Sequence, residues 1–185
     1  MTVVGVLALQ GAFAEHERML AELGQDCVEL RDADDLARPF DRLVLPGGES
    51  TVQGKLLREL GMLAPLRERI AAGMPTLGTC AGLILLARDV DGGQPCLATM
   101  PVRVVRNAYG RQLGSFHARA TLSGVGEVPM SFIRAPYVSQ VYPGAQVLAR
   151  VGERVVAVRA GSQLGLAFHP ELDGDTRIHE LFLSL

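Results

Sequence analysis

The run Thr2-Val3-Val4-Gly5-Val6-Leu7-Ala8-Leu9 opens a rhythm that decides the fold. An amphipathic stretch follows at 12–23, and then two more short apolar runs at 27–30 and 43–45. Short apolar runs alternating with amphipathic stretches are the mark of a parallel α/β sheet. The rhythm continues as helices over 50–60 and 62–72, a strand over 76–79 after Gly73 and Pro75, and a helix over 81–87. From about Leu97 the pattern becomes β-rich, with apolar segments at 102–105, 115–121, 130–134, 146–151 and 155–158 separated by Gly and Pro. These predict antiparallel or edge strands added to the sheet. A late strand over 163–168 returns to the core, and a terminal helix covers 175–183 with Asp175 near its N-cap. No repeat, low-complexity segment or linker interrupts the chain, so residues 1–185 read as a single domain.

Composition narrows the function. With 48% hydrophobic residues, 185 residues can bury a core without metal or disulfide staples. Lys and Arg number 18 against 20 Asp and Glu, so there is no excess positive charge to hold a nucleic acid. Cys27, Cys80 and Cys96 are odd in number and lack the paired spacing of metal sites or disulfide frameworks. A reducing cytoplasm and no bound metal are therefore expected. The N-terminal apolar run has no basic leader and is too short to span a bilayer, so no membrane partner is expected either.

Chemistry concentrates at three predicted strand ends. In Gly78-Thr79-Cys80-Ala81-Gly82 a cysteine stands between an apolar strand and an apolar helix. Small neighbours relieve the crowding of a sharp turn there, and the helix N-terminus favours a thiolate. A buried structural cysteine would fit the same five residues equally well. In Phe168-His169-Pro170-Glu171 a histidine ends an apolar strand, and Glu171 at i+2 on extended chain lies on its side, where it can orient the imidazole. Cys80, His169 and Glu171 thus supply nucleophile, base and orienting acid for a thiol triad. His16 and His179 fall among charged residues on predicted helices and are expected on solvated faces; His117 is expected as an ordinary strand residue. The third strand end is Pro46-Gly47-Gly48-Glu49-Ser50. Its glycines let backbone N–H groups turn towards an oxyanion, with the Ala81 N–H as a second donor beside the thiol. A plain strand-to-helix turn capped by Ser50 explains those glycines too. Strand C-termini of an open α/β sheet converge on one crevice, which is where ligands bind.

Taken together, PGGES at 46–50, GTCAGL at 78–83 and FHPEL at 168–172 resemble the class I glutamine amidotransferases. GVLALQGAFAEH at 5–16, RNAYGRQ at 106–112 and FIRAP at 132–136 narrow the resemblance to the glutaminases of pyridoxal 5′-phosphate synthases, over essentially the whole chain. The resemblance implies a flavodoxin-like domain that hydrolyses L-glutamine without a cofactor. It also implies a barrel-shaped synthase partner in a large hetero-oligomer that receives the ammonia, and weak activity in the partner's absence. Matched position by position, it makes Cys80, His169 and Glu171 catalytic and Gly48 and Ala81 the oxyanion donors. Gly48, Glu49, Ser50, Arg106, Ile133 and Arg134 would bind glutamine. His117 stands where an acidic residue is expected, and residues 143–163 match loosely. A glutaminase serving another acceptor, a non-catalytic scaffold and a redox-sensing domain are the alternatives. RNAYGRQ and FIRAP speak against the first, the intact triad positions against the second, and the His-x-Glu pair against the third.

Overall fold

The computed structural model describes residues 2–107 and 114–185. Its first half is built as the apolar rhythm predicts. Strands β1 (Val3–Leu7), β2 (Asp26–Leu30), β3 (Arg42–Leu45) and β4 (Thr76–Thr79) alternate with helices α1 (Phe13–Glu22), α2 (Ser50–Glu59) and α3 (Leu63–Ala71). Helix α1 buries His16, Met19 and Leu20, and α2 buries Ser50, Gln53, Gly54 and Leu57, the one-sided stripes of helices laid on a sheet. Helix α4 (Ala81–Leu86) follows β4 directly and buries every residue except Ile84. The second half supplies β5 (Ala87–Asp91), β6 (Met100–Val105), β7 (Ser115–Leu122), β8 (Gly126–Ile133), β9 (Tyr137–Val141), β10 (Gln146–Val151), β11 (Arg154–Ala160), β12 (Gln163–Leu166) and helix α5 (Arg177–Leu183).

These strands form a large sheet in the order β2-β1-β3-β4-β12-β11-β9-β6-β5, with β10 pairing β11, and a separate antiparallel pair β7-β8. From β2 to β12 every pairing is parallel; β11 then joins β12 antiparallel. The first five positions have the 2-1-3-4-5 order of flavodoxin-like folds. Register brings Leu45 opposite Gly78, and Thr79 opposite Leu166, so β3, β4 and β12 end level and release their chains at one edge. A single cluster of buried side chains runs from Val4 to Phe182 on both faces. Close contact beneath that edge depends on Gly82, where a Cβ would lie 2.0 Å from the Leu45 carbonyl oxygen. Only a residue without a side chain lets α4 sit this close to β3.

Differences from the sequence-based expectation lie at edges and ends. Strand β5 carries Arg88, Asp89 and Asp91 and closes one side of the sheet, where charge is tolerated and apolar periodicity is lost. Strand β9 exposes Ser139 and Gln140, and so also lacks an apolar run. Strand β8 begins four residues before Met130 and includes Pro129, which a two-stranded ribbon accepts because one edge of each strand is unpaired. Helix α5 starts at Arg177 with Thr176 as N-cap, not at Asp175. The Asp175 carboxylate instead accepts the Arg177 N–H at 3.1 Å and pairs with its guanidinium. Among the described residues no helix is long and apolar enough to cross a membrane.

Candidate active site

Cys80 occupies the turn between β4 and α4 with φ 49° and ψ −100°, a backbone region that non-glycine residues rarely adopt. Its N–H donates to the Leu166 carbonyl at 2.8 Å, so β12 holds the strained residue in place. Cys80 is 7% exposed and lines a cleft of about 210 Å³. Gly48, Glu49, Ser50, Arg106, Ile133 and Arg134 all line this cleft together with His169. Residues scattered over the sequence are thus gathered at the level edge of β3, β4 and β12. Cys27 and Cys96 lie elsewhere. Burial, then Glu17 and Asp26, push the Cys27 thiol up to about 11, and burial raises Cys96 as well. Neither is a thiolate at neutral pH.

His169 follows β12 and is buried, with its N–H donating to the Ser131 carbonyl of β8 at 2.8 Å. Its Nδ1 lies 2.7 Å from Glu171 Oε1. The route to that contact differs from the extended chain expected. His169 has φ −112° and ψ 83°, and residues Pro170–Leu172 form a 3-10 turn that folds the carboxylate back onto the ring. With Nδ1–H given to Glu171, Nε2 is left for the thiol. Burial works against a charge on His169, but hydrogen bonds with Cys80 and Glu171 and their negative charge overcome it and push the imidazole up to about 10. Burial likewise works against the Glu171 charge; the facing His16 and the His169 hydrogen bond outweigh it and hold the carboxyl below its usual range. An imidazolium held against a carboxylate is the charge state these directions favour.

The expectation that His16 and His179 lie on solvated faces is wrong, because both are fully buried. His16 Nδ1 lies 3.0 Å from His179 Nε2, and His16 Nε2 lies 3.1 Å from Thr79 Oγ1 and 3.4 Å from Glu171 Oε2. The signal was present in spacing: His16 shares a helical stripe with Met19 and Leu20, and His179 is four residues from Leu183 beside the buried Ile178. His117 does lie on a strand, β7, with Nδ1 2.9 Å from Ser131 Oγ.

The 46–50 loop is held from three sides. The Gly47 N–H donates to Thr79 Oγ1 at 3.1 Å, and the Glu49 N–H donates to Gln10 Oε1 at 2.7 Å. Gln53 Nε2 donates to the Gln10 and Pro46 carbonyls at 2.9 and 3.2 Å. Gln10 and Gln53 are site-shaping residues that the sequence reading passed over, although Gln10 lies in the motif at 5–16. The Glu49 carboxylate pairs with the Arg134 guanidinium at 2.9 Å across the cleft mouth, with both side chains exposed. Such a pair contributes at most about 1 kcal/mol, so its importance lies in where it holds two charged groups. Arg106 donates to the Gly92 carbonyl at 3.2 Å; the rest of its motif, 108–112, lies outside the described residues.

An open α/β sheet whose strand ends unite an elbow cysteine, a histidine–carboxylate pair and a glycine loop is the architecture of glutamine amidotransferases, and the chain belongs to the SNO glutamine amidotransferase family, whose profile matches residues 6–185. Similar curated proteins carry the name pyridoxal 5'-phosphate synthase subunit PdxT. That of Desulfitobacterium hafniense (strain Y51) is 58% identical over 98% of this chain and 92% of its own length. That of Methanocorpusculum labreanum is 55% identical over 98% and 96%. A crystal structure of a glutamine amidotransferase superposes with a TM-score of 0.93 at 44% identity, covering 98% of this chain and 97% of the other. A glutamine amidotransferase from Thermotoga maritima superposes with a TM-score of 0.67 at 18% identity, covering 99% and 83%, which shows a shared fold.

Proposed function

We propose that this chain is the glutaminase of a pyridoxal 5′-phosphate synthase, hydrolysing glutamine through Cys80, His169 and Glu171. It releases ammonia from glutamine for pyridoxal 5′-phosphate synthesis, a reading supported by its glutamine amidotransferase family and by relatives named as pyridoxal 5'-phosphate synthase subunits. The observation that carries the catalytic assignment is the 2.7 Å contact between His169 and Glu171, with the same histidine and the elbow cysteine lining one cleft.

The Cys80 thiolate attacks the side-chain amide carbon, and the carbonyl electron pair moves onto oxygen. The Gly48 and Ala81 N–H groups receive that oxyanion. As the tetrahedral adduct collapses, the C–N bond breaks and His169 gives its Nε2 proton to the departing nitrogen, leaving a γ-glutamyl thioester and ammonia. Neutral His169 then takes a proton from water as its oxygen attacks the thioester. Collapse expels the Cys80 thiolate, frees glutamate and restores the imidazolium. Arg106 and Arg134 suit the substrate's α-carboxylate, because a guanidinium binds carboxylate in a two-point fork. Glu49, Ser50 and Ile133 complete the walls around the substrate.

Free ammonia near neutral pH is protonated and lost as a nucleophile, so the chain operates docked on a synthase that receives it. That synthase is a barrel-shaped subunit of a large hetero-oligomer, and the work is cytoplasmic. The chemistry uses no metal or organic cofactor. The test is a glutaminase assay of the chain with its synthase: Cys80→Ala is expected to abolish ammonia release while leaving the fold and the complex intact. Ammonia release persisting in that variant would sink the assignment.

A further inference from the structure

The base and its carboxylate do not complete the buried polar cluster. Proton positions in the rest of it follow from its unpaired atoms. His179 Nδ1 is buried with no hydrogen-bond partner among the described residues. A bare lone pair there is far more readily left unpaired than a stranded N–H. His179 therefore carries its proton on Nε2 and donates it to His16 Nδ1 at 3.0 Å. His16 then carries its proton on Nε2, which faces two acceptors, Thr79 Oγ1 at 3.1 Å and Glu171 Oε2 at 3.4 Å. The opposite tautomer would set a ring lone pair against a carboxylate and bury an unpaired N–H on His179.

Two consequences meet at this ring. Glu171 gives Oε1 to His169, and its Oε2 accepts no hydrogen bond of good geometry among the described residues, so the His16 N–H is the polar side-chain group that faces it. Thr79 Oγ1, which receives the His16 N–H, also receives the Gly47 N–H from the glycine loop. One imidazole thus touches the acid of the triad and, through one hydroxyl, the loop assigned to the oxyanion. We propose that His16 is a positioning residue for glutamine hydrolysis, keeping Glu171 aligned on His169 and tying it through Thr79 to the Gly47 peptide. This rests on the triad assignment made above. The ionisable groups around His16 are Glu171 and His169 from the 169–171 turn, His179 from α5 and Glu15 on its own helix. Burial first, and the charge of His169 after it, keep His16 neutral against the pull of Glu171, so it serves as a fixed donor and not as a second base.

The experiment is steady-state glutamine hydrolysis by the chain in complex with its synthase, across pH, for variants at His16, Thr79 and Cys80 and the unmodified protein. His16→Leu removes the donor and leaves Glu171 Oε2 facing apolar surface. Its kcat is expected to fall roughly ten- to hundredfold with KM within about twofold, the range for stranding a buried charged acceptor. The acid limb of its kcat/KM profile is expected to move to higher pH, because Glu171 without a facing donor protonates more readily. His16→Gln, which returns an N–H at similar depth, restores the limb towards its original position. Where His16→Leu does not fold, His16→Phe fills the site without a donor and repeats the measurement. Thr79→Val lowers kcat by itself, and its combination with His16→Leu costs less than the product of the separate losses, because both cut one chain. An acid limb that stays in place while kcat falls assigns His16 to packing alone and overturns the proposal, as do fully multiplicative losses. Cys80→Ala run alongside separates the two assignments: if it retains activity the triad itself fails, and if it is inactive while His16→Leu matches the unmodified protein, only the role of His16 fails.

Discussion

At Gly47 a single hydrogen atom in place of a methyl group decides where the imidazole can stand. A Cβ there would lie 2.3 Å from His169 Cε1 and 2.9 Å from Nδ1, so an alanine must push the ring aside by about an ångström. Gly47→Ala is therefore expected to cut kcat about a hundredfold, the cost of a misplacement of that size, with the fold retained; steady-state glutamine hydrolysis and circular dichroism check both parts. Residues of this kind are the ones legible in the sequence. Cys80, Gly47 and His169 each stand between an apolar strand and a turn, and the small or cyclic neighbours such a turn requires flag the position. His16 and His179 were expected on solvated faces because their flanks, Glu15, Glu17 and Arg18 in one case and Arg177 and Glu180 in the other, look solvated. Helical spacing marks both as inward-facing, but their pairing is set by α1 and α5 coming together behind Glu171, with the two histidines 163 residues apart in sequence, which local spacing does not specify.

Legibility followed apolar runs more than burial, since β10 lies at its expected 146–151 although only Ala149 in it is buried. The parallel strands β1, β3 and β4 have no polar face to confuse with a loop, and their expected limits stand within a residue or two. Strands β5 and β9 went unseen because a strand with one wet side at the sheet's far end is under no demand to be apolar. The most demanding junction is β3 against α4. A methyl group at Gly82 would overlap the Leu45 carbonyl oxygen at 2.0 Å and touch its Cβ at 3.0 Å, and backbone cannot step aside as a side chain can. Gly82→Ala is expected to destabilise the protein by roughly 3 kcal/mol, at the upper end of overpacking penalties. Chemical denaturation would measure it, and a smaller change would mean that α4 slides along β3 at little cost.

On the scale of the whole molecule, buried imidazoles set how stability depends on pH. Burial, and then His16, drive His179 down to about 3 from an ordinary 6.5, and burial also lowers His16. An unfolded chain takes up those protons first, so this part of the stability is complete above about 6.5 and is lost as pH falls towards 3. Between pH 6.5 and 5 the His179 share is about 2 kcal/mol. His169 has the opposite sign: raised to about 10, it stabilises fully below 6.5 and loses its contribution as pH climbs to about 10. Melting temperature is thus expected to peak near neutrality and fall on both sides, with a shallower acid arm in His179→Leu. Thermal melts at half-unit steps from pH 5 to 9 would show it, and an acid arm unchanged in that variant would contradict the assignment.

The peptide of Ser131 has a wider consequence. It accepts the backbone N–H of His169, while its side-chain hydroxyl is held by Asp173 and touched by His117 on β7. The ribbon of β7 and β8 forms no ladder with the main sheet among the described residues, but the Ser123 N–H in its turn donates to the Leu148 carbonyl of β10 at 2.9 Å, and Leu122, Val128, Met130 and Phe132 are buried in the core. Its alignment is set by core packing and by a few hydrogen bonds, among them the one that joins the Ser131 carbonyl of β8 to the His169 peptide. The thiol rests on the same strand, since Cys80 Sγ lies 3.9 Å from the Ile133 carbonyl at the end of β8, so nucleophile and imidazole share one support.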